Sequence, residues 1–193
     1  MKKYFSLFLC AAMLISCFSF QTSNDNALAR VSKINGHAVF YHNEPVSNYE
    51  VAFTFKNSIR NFDCNTVESN MDAAVKNANM EAGEQMKLYD ALIIGSSDRD
   101  IAVTFTDKTK DNSIARVKRE GGVLLFLGCE PLSGYNIVKK IDVSGEAWKM
   151  VSGQCPTWES KIEKILKKVD RKKNACDAII LGDTKWDFLI KFK

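Results

Sequence analysis

The sequence predicts an α+β protein: a tandem duplication of two ββαββ repeats packed as one compact unit about a pseudo-twofold axis. Three observations carry this expectation. Four sequence blocks recur in the same order. The spacing between copies changes only where a loop or one helical turn is gained. Each copy also runs through the same succession of apolar strand-like runs around one helical stripe.

Ala29-Arg30-Val31 returns as Ala115-Arg116-Val117, 86 positions on, and at that offset Gly36 meets Gly122 and Phe40 meets Phe126. Glu44-Pro45-Val46-Ser47-Asn48-Tyr49-Glu50-Val51 returns as Glu130-Pro131-Leu132-Ser133-Gly134-Tyr135-Asn136-Ile137. Cys64, Thr66, Glu68 and Ser69 return as Cys155, Thr157, Glu159 and Ser160 at offset 91. Asp90-Ala91-Leu92-Ile93-Ile94-Gly95 returns as Asp177-Ala178-Ile179-Ile180-Leu181-Gly182 at offset 87. The second copy therefore gains five residues before its cysteine, around Ser144-Gly145-Glu146 and Ser152-Gly153, which read as loop. The first gains four before Asp90, close to one turn at about 3.6 residues per turn, which leaves an apolar helix face in place. The organisation is a leader over 1–16, a polar tether over 17–28, repeat 1 over 29–108, a linker over 109–114 and repeat 2 over 115–193.

In chain order, Val39-Phe40-Tyr41 and Tyr49 to Phe55 read as strands flanking a turn that contains Glu44-Pro45. Val67, Met71, Ala74, Val75 and Ala78 make a helical stripe. Ala91 to Ile94 and Ile101 to Phe105 close the first repeat as two strands. The second repeats the plan with Val123 to Leu127, Tyr135 to Ile141, a helix after Thr157 as N-cap, Ala178 to Leu181, and Phe188 to Phe192. Its helix carries Trp158, Ile162, Ile165, Leu166 and Val169 where the first has smaller residues, a compensation expected of two helices sharing one core. The last strand alternates Phe188, Ile190 and Phe192 with Leu189, Lys191 and Lys193, which predicts one wet face. A half of about eighty residues has a marginal core of its own, which favours two halves packed together.

The leader begins with Lys2 and Lys3 and continues as an apolar run from Tyr4 to Ile15. That run is shorter than the roughly twenty residues a bilayer span needs, so it reads as a secretory signal. It ends in Leu14-Ile15-Ser16-Cys17, a pattern that resembles the bacterial lipobox and implies cleavage before Cys17 with a diacylglyceryl thioether on its sulfur. Ordinary cleavage after Ser19 is the competing reading. Lipidation with two or more acyl chains implies firm membrane attachment. The composition, 46% hydrophobic and 26% charged with three prolines, is that of a globular protein. The formal charge of +4 falls by the two leader lysines to +2, too mild a basic bias to suggest a nucleic-acid partner.

With Cys10 in the leader and Cys17 the lipidation residue, four cysteines remain: Cys64, Cys129, Cys155 and Cys176. Export permits disulfides. Cys129 and Cys176 both lack a counterpart in repeat 1, which has Asn43 and Tyr89 there, and both are expected at the same end of the repeat. A Cys129–Cys176 bridge would close a loop of about 47 residues and add about 3–4 kcal/mol in the chain-entropy account. A Cys64–Cys155 bridge would need both helix starts to meet near the axis, and buried free thiols are the plainer alternative. No C-x-x-C pair accompanies them, and the only histidines, His37 and His42, are five apart and expected on opposite sides, so no metal site or cofactor is expected.

Glu44/Glu130 and Asp90/Asp177 are the acids kept in both copies. They could form a catalytic pair, but a glutamate before proline in a turn and an aspartate at a helix-to-strand junction are natural turn formers. No phosphate loop, G-x-S-x-G elbow or H-E-x-x-H motif occurs, so no catalytic residue is assigned. Lys161, Lys164, Lys167, Lys168, Arg171, Lys172 and Lys173 crowd the second helix; they could meet lipid headgroups or a polyanionic glycan, while a solvated face is the simpler reading. Trp148, Trp158 and Trp186 all lie in repeat 2, Trp158 on the apolar stripe.

At Glu-Pro-x-x-x-Tyr and at the Asp177-Ala178-Ile179-Ile180…Phe188-Leu189-Ile190-Lys191-Phe192-Lys193 tail, the chain resembles small uncharacterised exported proteins of Bacteroidota built from ββαββ units. That resemblance implies location and architecture and brings no activity with it. The topology is also similar to that of small heavy-metal-binding ββαββ proteins, a fold analogy alone. The expected function is that of an exported, lipid-anchored cell-envelope protein acting as a non-enzymatic binding or interaction module, with the membrane and a protein or glycan as partners. The alternative is a metal-binding or thiol-dependent periplasmic protein using Cys64 and Cys155 or the repeated acids.

Overall fold

The computed structural model describes residues 25–56, 67–95, 100–141, 163, 165–167, 175–182 and 187–193. It is a mixed α+β fold, mostly sheet. The strands are β1 (Leu28–Val31), β2 (Lys33–Ile34), β3 (His37–Tyr41), β4 (Glu44–Pro45), β5 (Tyr49–Phe55), β6 (Ala91–Ile94) and β7 (Asp100–Phe105), with helix α1 (Val67–Gln85) between β5 and β6. They continue as β8 (Ile114–Arg116), β9 (Arg119–Glu120), β10 (Val123–Leu127), β11 (Cys129–Pro131), β12 (Tyr135–Ile141), β13 (Ala178–Leu181) and β14 (Asp187–Phe192). Glu163, Ile165, Leu166 and Lys167 also have helical backbone.

Two five-stranded sheets form, one in the order β2-β3-β6-β7-β5 and the other β9-β10-β13-β14-β12. At the heart of each lies a parallel pair: β3 with β6, Ala38 opposite Ala91, and β10 with β13, Leu124 opposite Ala178. The strands of these pairs are buried along almost their whole length. That is why they take central positions: a strand apolar on both faces gains most when both faces are covered.

This arrangement corrects the expected hairpins. β3 and β5 do not pair, because β6 and β7 lie between them, and Glu44-Pro45 is not a turn. It is β4, paired with β8 so that Glu44 faces Arg116 and Pro45 faces Ala115. As an edge strand β4 tolerates a proline, which has no N–H to donate. Glu130-Pro131 likewise belongs to a strand, β11, rather than a turn. The expected wet face of the last strand is also corrected. Leu189 and Ile190 are both buried and Lys191 is exposed, because β14 runs between β13 and β12 with both faces covered at its middle.

Alternate residues of the two sheets divide between two cores. Val39, Tyr41, Leu92, Phe53 and Phe55 pack with α1 through Val67, Met71, Ala74, Val75 and Ala78, the stripe expected of that helix. Ile165 of the second helical stretch joins the same cluster, as does Leu189. Trp158, Ile162 and Val169 lie outside the described residues. The opposite faces, with Phe40, Ile93, Phe105, Phe126, Ile180 and Ile190, pack with Ala29, Val31, Ala115 and Val117 of a third, four-stranded sheet.

That third sheet has the order β11-β1-β8-β4. Its central antiparallel pair sets Ala29 directly opposite Ala115, both fully buried. Around this pair the contacts come in matched sets. Arg30 bonds Asp111 at 3.2 Å and Arg116 bonds Asp25 at 2.6 Å. Val31 N–H donates to Ser113 O at 2.9 Å, and Val117 N–H to Ala27 O at 2.9 Å. Val46 N–H donates to Ile114 O and Leu132 N–H to Leu28 O, each at 3.0 Å. Asp25 to Leu28, read from sequence as the end of the tether, thus already belong to the folded body.

Gly128 links β10 to β11 with φ +59, where an L side chain is strained. A Cβ there would stand 2.7 Å from Met71 Sδ and 3.1 Å from Val67 Cγ1 of α1. Gly128→Ala is expected to cost about 1–2 kcal/mol, mostly from the left-handed backbone since the methionine end can move. Chemical denaturation checks this.

Candidate functional site

The recess that stands out is an open groove of about 350 Å³ lined by Lys33, Gly36, Asp90, Phe105, Lys108, Lys110, Asp111, Asn112 and Ser113. The segment between β7 and β8 builds one wall through two successive aspartate turns. Asp107 accepts the Thr109 N–H at 3.0 Å and its hydroxyl at 2.6 Å. Asp111 accepts the Ser113 N–H at 3.1 Å and its hydroxyl. Asn112 Nδ2 ties the two by donating to Asp107 O at 2.8 Å. The opposite rim is the β2–β3 turn, where Gly36 takes φ +87.

The hydroxyl bonds from Thr109 and Ser113, with the backbone N–H bonds behind them, hold the Asp107 and Asp111 carboxyls below the usual carboxylate value. Lys108 Nζ meets Asp90 at 3.1 Å and Lys110 Nζ meets Asp107 at 3.4 Å. The groove therefore presents ammonium groups, with Lys33 among them, beside carboxylates that stay ionised. Such a lining can hold a small anionic group by point charge. Sequence reasoning missed this groove; the Asp107-x-Thr109 and Asp111-x-Ser113 spacings were its available signal.

The repeated aspartates serve the backbone. Asp90 Oδ2 accepts Phe105 N–H and Asp177 Oδ2 accepts Phe192 N–H, each at 3.0 Å, closing the β6–β7 and β13–β14 pairs at their ends. Glu44 lies 3.9 Å from Lys118 on the surface, and Glu130 stands opposite Arg30 in the third sheet. The glutamates thus lie in the third sheet, while the aspartates close strand pairs in the two larger sheets.

Cys129 and Cys176 do not form the expected disulfide. The physical reason is placement: Cys129 is buried in the core shared with the third sheet, while Cys176 packs on the helix-side core. Asn43 Nδ2 lies 3.3 Å from Cys129 Sγ and donates to Leu127 O at 3.3 Å, so positions 43 and 129 meet instead. Burial pushes the Cys129 thiol up from 9.0 to about 12. Cys17, Cys64 and Cys155 lie outside the described residues, as do Trp148, Trp158, Trp186 and the lysines and arginine expected on the second helix apart from Lys167, which pairs with Glu163 at 2.7 Å.

His37 stacks on Tyr89 with ring centroids 4.2 Å apart, and His42, at φ 55, sits edge-on to Tyr41. Among the described residues no three His, Cys, Asp or Glu side chains are grouped to hold a metal ion. No protein-family model, curated protein or solved structure matches the chain.

Cys129 has a measurable pH signature. Its folded value is raised, so the stability it contributes is complete below pH 9 and is lost as the pH rises towards about 12. Unfolding curves across that range should show the decline, and Cys129→Ala should flatten it. At pH 8, iodoacetamide should modify the partly exposed Cys176 well before the buried Cys129.

Proposed function

We propose that the chain is an exported cell-envelope protein, lipid-anchored at Cys17, that acts as a non-enzymatic binding module built from a duplicated ββαββ unit. One observation carries the binding reading: an open groove lined by Lys33, Lys108, Lys110, Asp90 and Asp111 faces solvent, while Asp177 closes a strand pair and the Cys129 thiol is buried. The leader and the Leu14-Ile15-Ser16-Cys17 pattern support the anchor. The alternative, a metal-binding or thiol-dependent periplasmic protein, would rest on Cys64 and Cys155 or the repeated acids rather than on Cys129, which burial holds protonated.

Several features support the duplication. The two five-stranded sheets share one strand order and one direction for each pairing. Their long edge strands both shift register, between Val51 and Phe53 and between Ile137 and Lys139. The Arg30–Asp111 and Arg116–Asp25 bridges exchange partners at the same 86-residue offset that relates the sequence blocks.

Two measurements test these statements. The membrane-extracted protein should have the mass of a chain starting at Cys17 plus a diacylglyceryl group, and Cys17→Ala should release it to the soluble fraction. An unlipidated chain would overturn the anchor. For the duplication, Ala29→Leu and Ala115→Leu should each overpack the same site and cost about 1–3 kcal/mol. Their costs should agree within about 0.5 kcal/mol; a large disparity would count against equivalent positions.

A further inference from the structure

The turn that ends α1 departs from local rules in three ways at once. Lys87 N–H bonds Ala82 O at 3.0 Å, the six-to-one bond that closes a helix through a left-handed residue. That residue is Met86, at φ 51, where glycine or asparagine is the usual occupant. Met86 is also 92% exposed and Leu88 90%, with Met80 of the helix at 67%. Finally, Glu81 and Glu84 stand near a helix C-terminus, which carries partial negative charge, and the last turn holds no basic residue. Among the described residues neither acid pairs with a cation; Glu81 accepts from the neutral Gln85 Nε2 at 2.6 Å.

The base of the turn is nonetheless held. Lys87 Nζ donates to Ala52 O at 3.1 Å. Tyr89 is buried, stacks on His37, meets Phe53 edge-on and donates its hydroxyl to Asn79 Oδ1 at 2.6 Å. The apolar tips therefore project from a fixed platform, which lowers the ordering cost of a contact made there.

Other exposed aliphatics recur in matched places: Val46 with Leu132 and Val51 with Ile137, all near half exposure. Met86 and Leu88 have no such match. Counted back from Asp90 and Asp177, Glu84, Met86 and Leu88 correspond to Arg171, Lys173 and Ala175. The apolar and acidic character thus belongs to the first copy alone, in the stretch where it is four residues longer. Methionine, unbranched and polarizable, adapts to irregular apolar surfaces. The two acids and the negative helix end select cations around such a surface.

We propose that the Met80–Leu88 turn is a docking point for a partner protein presenting an apolar surface rimmed by lysine or arginine. This adds a protein partner to the binding-module reading and depends on neither the groove nor the lipid anchor. An anionic membrane is disfavoured, because its headgroups would face Glu81 and Glu84.

The test uses the mature full-length chain, produced without its leader and so without lipid. Its probe is a fluorescein-labelled helical peptide of leucine and lysine with the leucines on one face, followed by anisotropy at low salt. Saturable binding is expected at about tens to hundreds of micromolar, and a glutamate-for-lysine peptide should bind about ten-fold more weakly or worse. Two variants separate docking from folding. Met86→Gly suits the left-handed position and Glu81→Lys/Glu84→Lys suits the helix end, so both should raise the denaturation midpoint. Each should still weaken peptide binding by about ten-fold or more, while Val46→Ser should leave it unchanged. Absence of binding overturns the proposal, as does binding that both variants leave intact. Attachment to phosphatidylethanolamine–phosphatidylglycerol vesicles that Leu88→Ser abolishes, without peptide binding, overturns it in favour of a lipid surface. Self-association that Met86→Gly abolishes, without peptide binding, overturns it in favour of a second copy. The mass measurement at Cys17 is independent of this turn, so the anchored-module reading stands or falls separately.

Discussion

The antiparallel pairing of β1 with β8 is the contact on which the rest of the molecule depends. Ala29 and Ala115 face one another with no exposed surface, so the two backbones run together without bulky side chains between them. On either side the order alternates between chain regions: β11 joins β1, and β4 joins β8. Neither region can therefore complete this sheet by itself. The inner faces of both larger sheets, with Phe40 and Phe126 fully buried, need the small sheet as their cover. Without it, two apolar faces would open to water, each worth about 25 cal/mol for every Å² exposed. A small third sheet thus joins the two larger sheets through one shared core.

Local signal in the sequence was sufficient for the long elements and insufficient for the short ones. β3, β6, β10 and β13 are unbroken apolar runs, and α1 carries a periodic stripe, so each declares itself within a window of a few residues. β1, β2, β4, β8, β9 and β11 have two to four residues and include Arg30, Lys33, Glu44, Arg116 and Arg119. Their strand character comes from partners far along the chain, as when Leu28 pairs with Arg116. The recurring Ala-Arg-Val triplet marked these segments as special without revealing that they pair. The hairpin error has the same origin, since Glu-Pro after an apolar run resembles a turn until β8 is known to lie alongside.

Site chemistry was less legible than fold for a related reason. Asp90 and Asp177 are acids at equivalent places, and only the bonds to Phe105 and Phe192 show that they terminate strand pairs. Cys129 and Cys176 looked paired because both lack a cysteine counterpart in the expected first repeat. Their positions in separate cores, on opposite sides of one sheet, reflect the alternation of side chains along strands, which distance along the chain does not encode. The groove, by contrast, is formed by a polar connection whose turn-forming aspartates were legible in themselves and whose enclosure by Lys33 and Gly36 was not.

Edge strands pose the remaining constraint. A sheet that ends in a long strand offers unpaired backbone groups to any extended segment, and native proteins blunt such edges with bulges, lysines or covers. Both β5 and β12 shift register near their middle. β5 adds a lysine bonded to its carbonyl and buries its two phenylalanines. β12 instead has lysines along an otherwise aliphatic edge. Lysine on an edge strand is one of the devices that discourage pairing with a second copy of the same edge. In the proposed duplicated frame the two edges keep the same register shift and the same exposed aliphatic position, Val51 and Ile137, while the residues around it differ, and the fold need not change for the two to diverge.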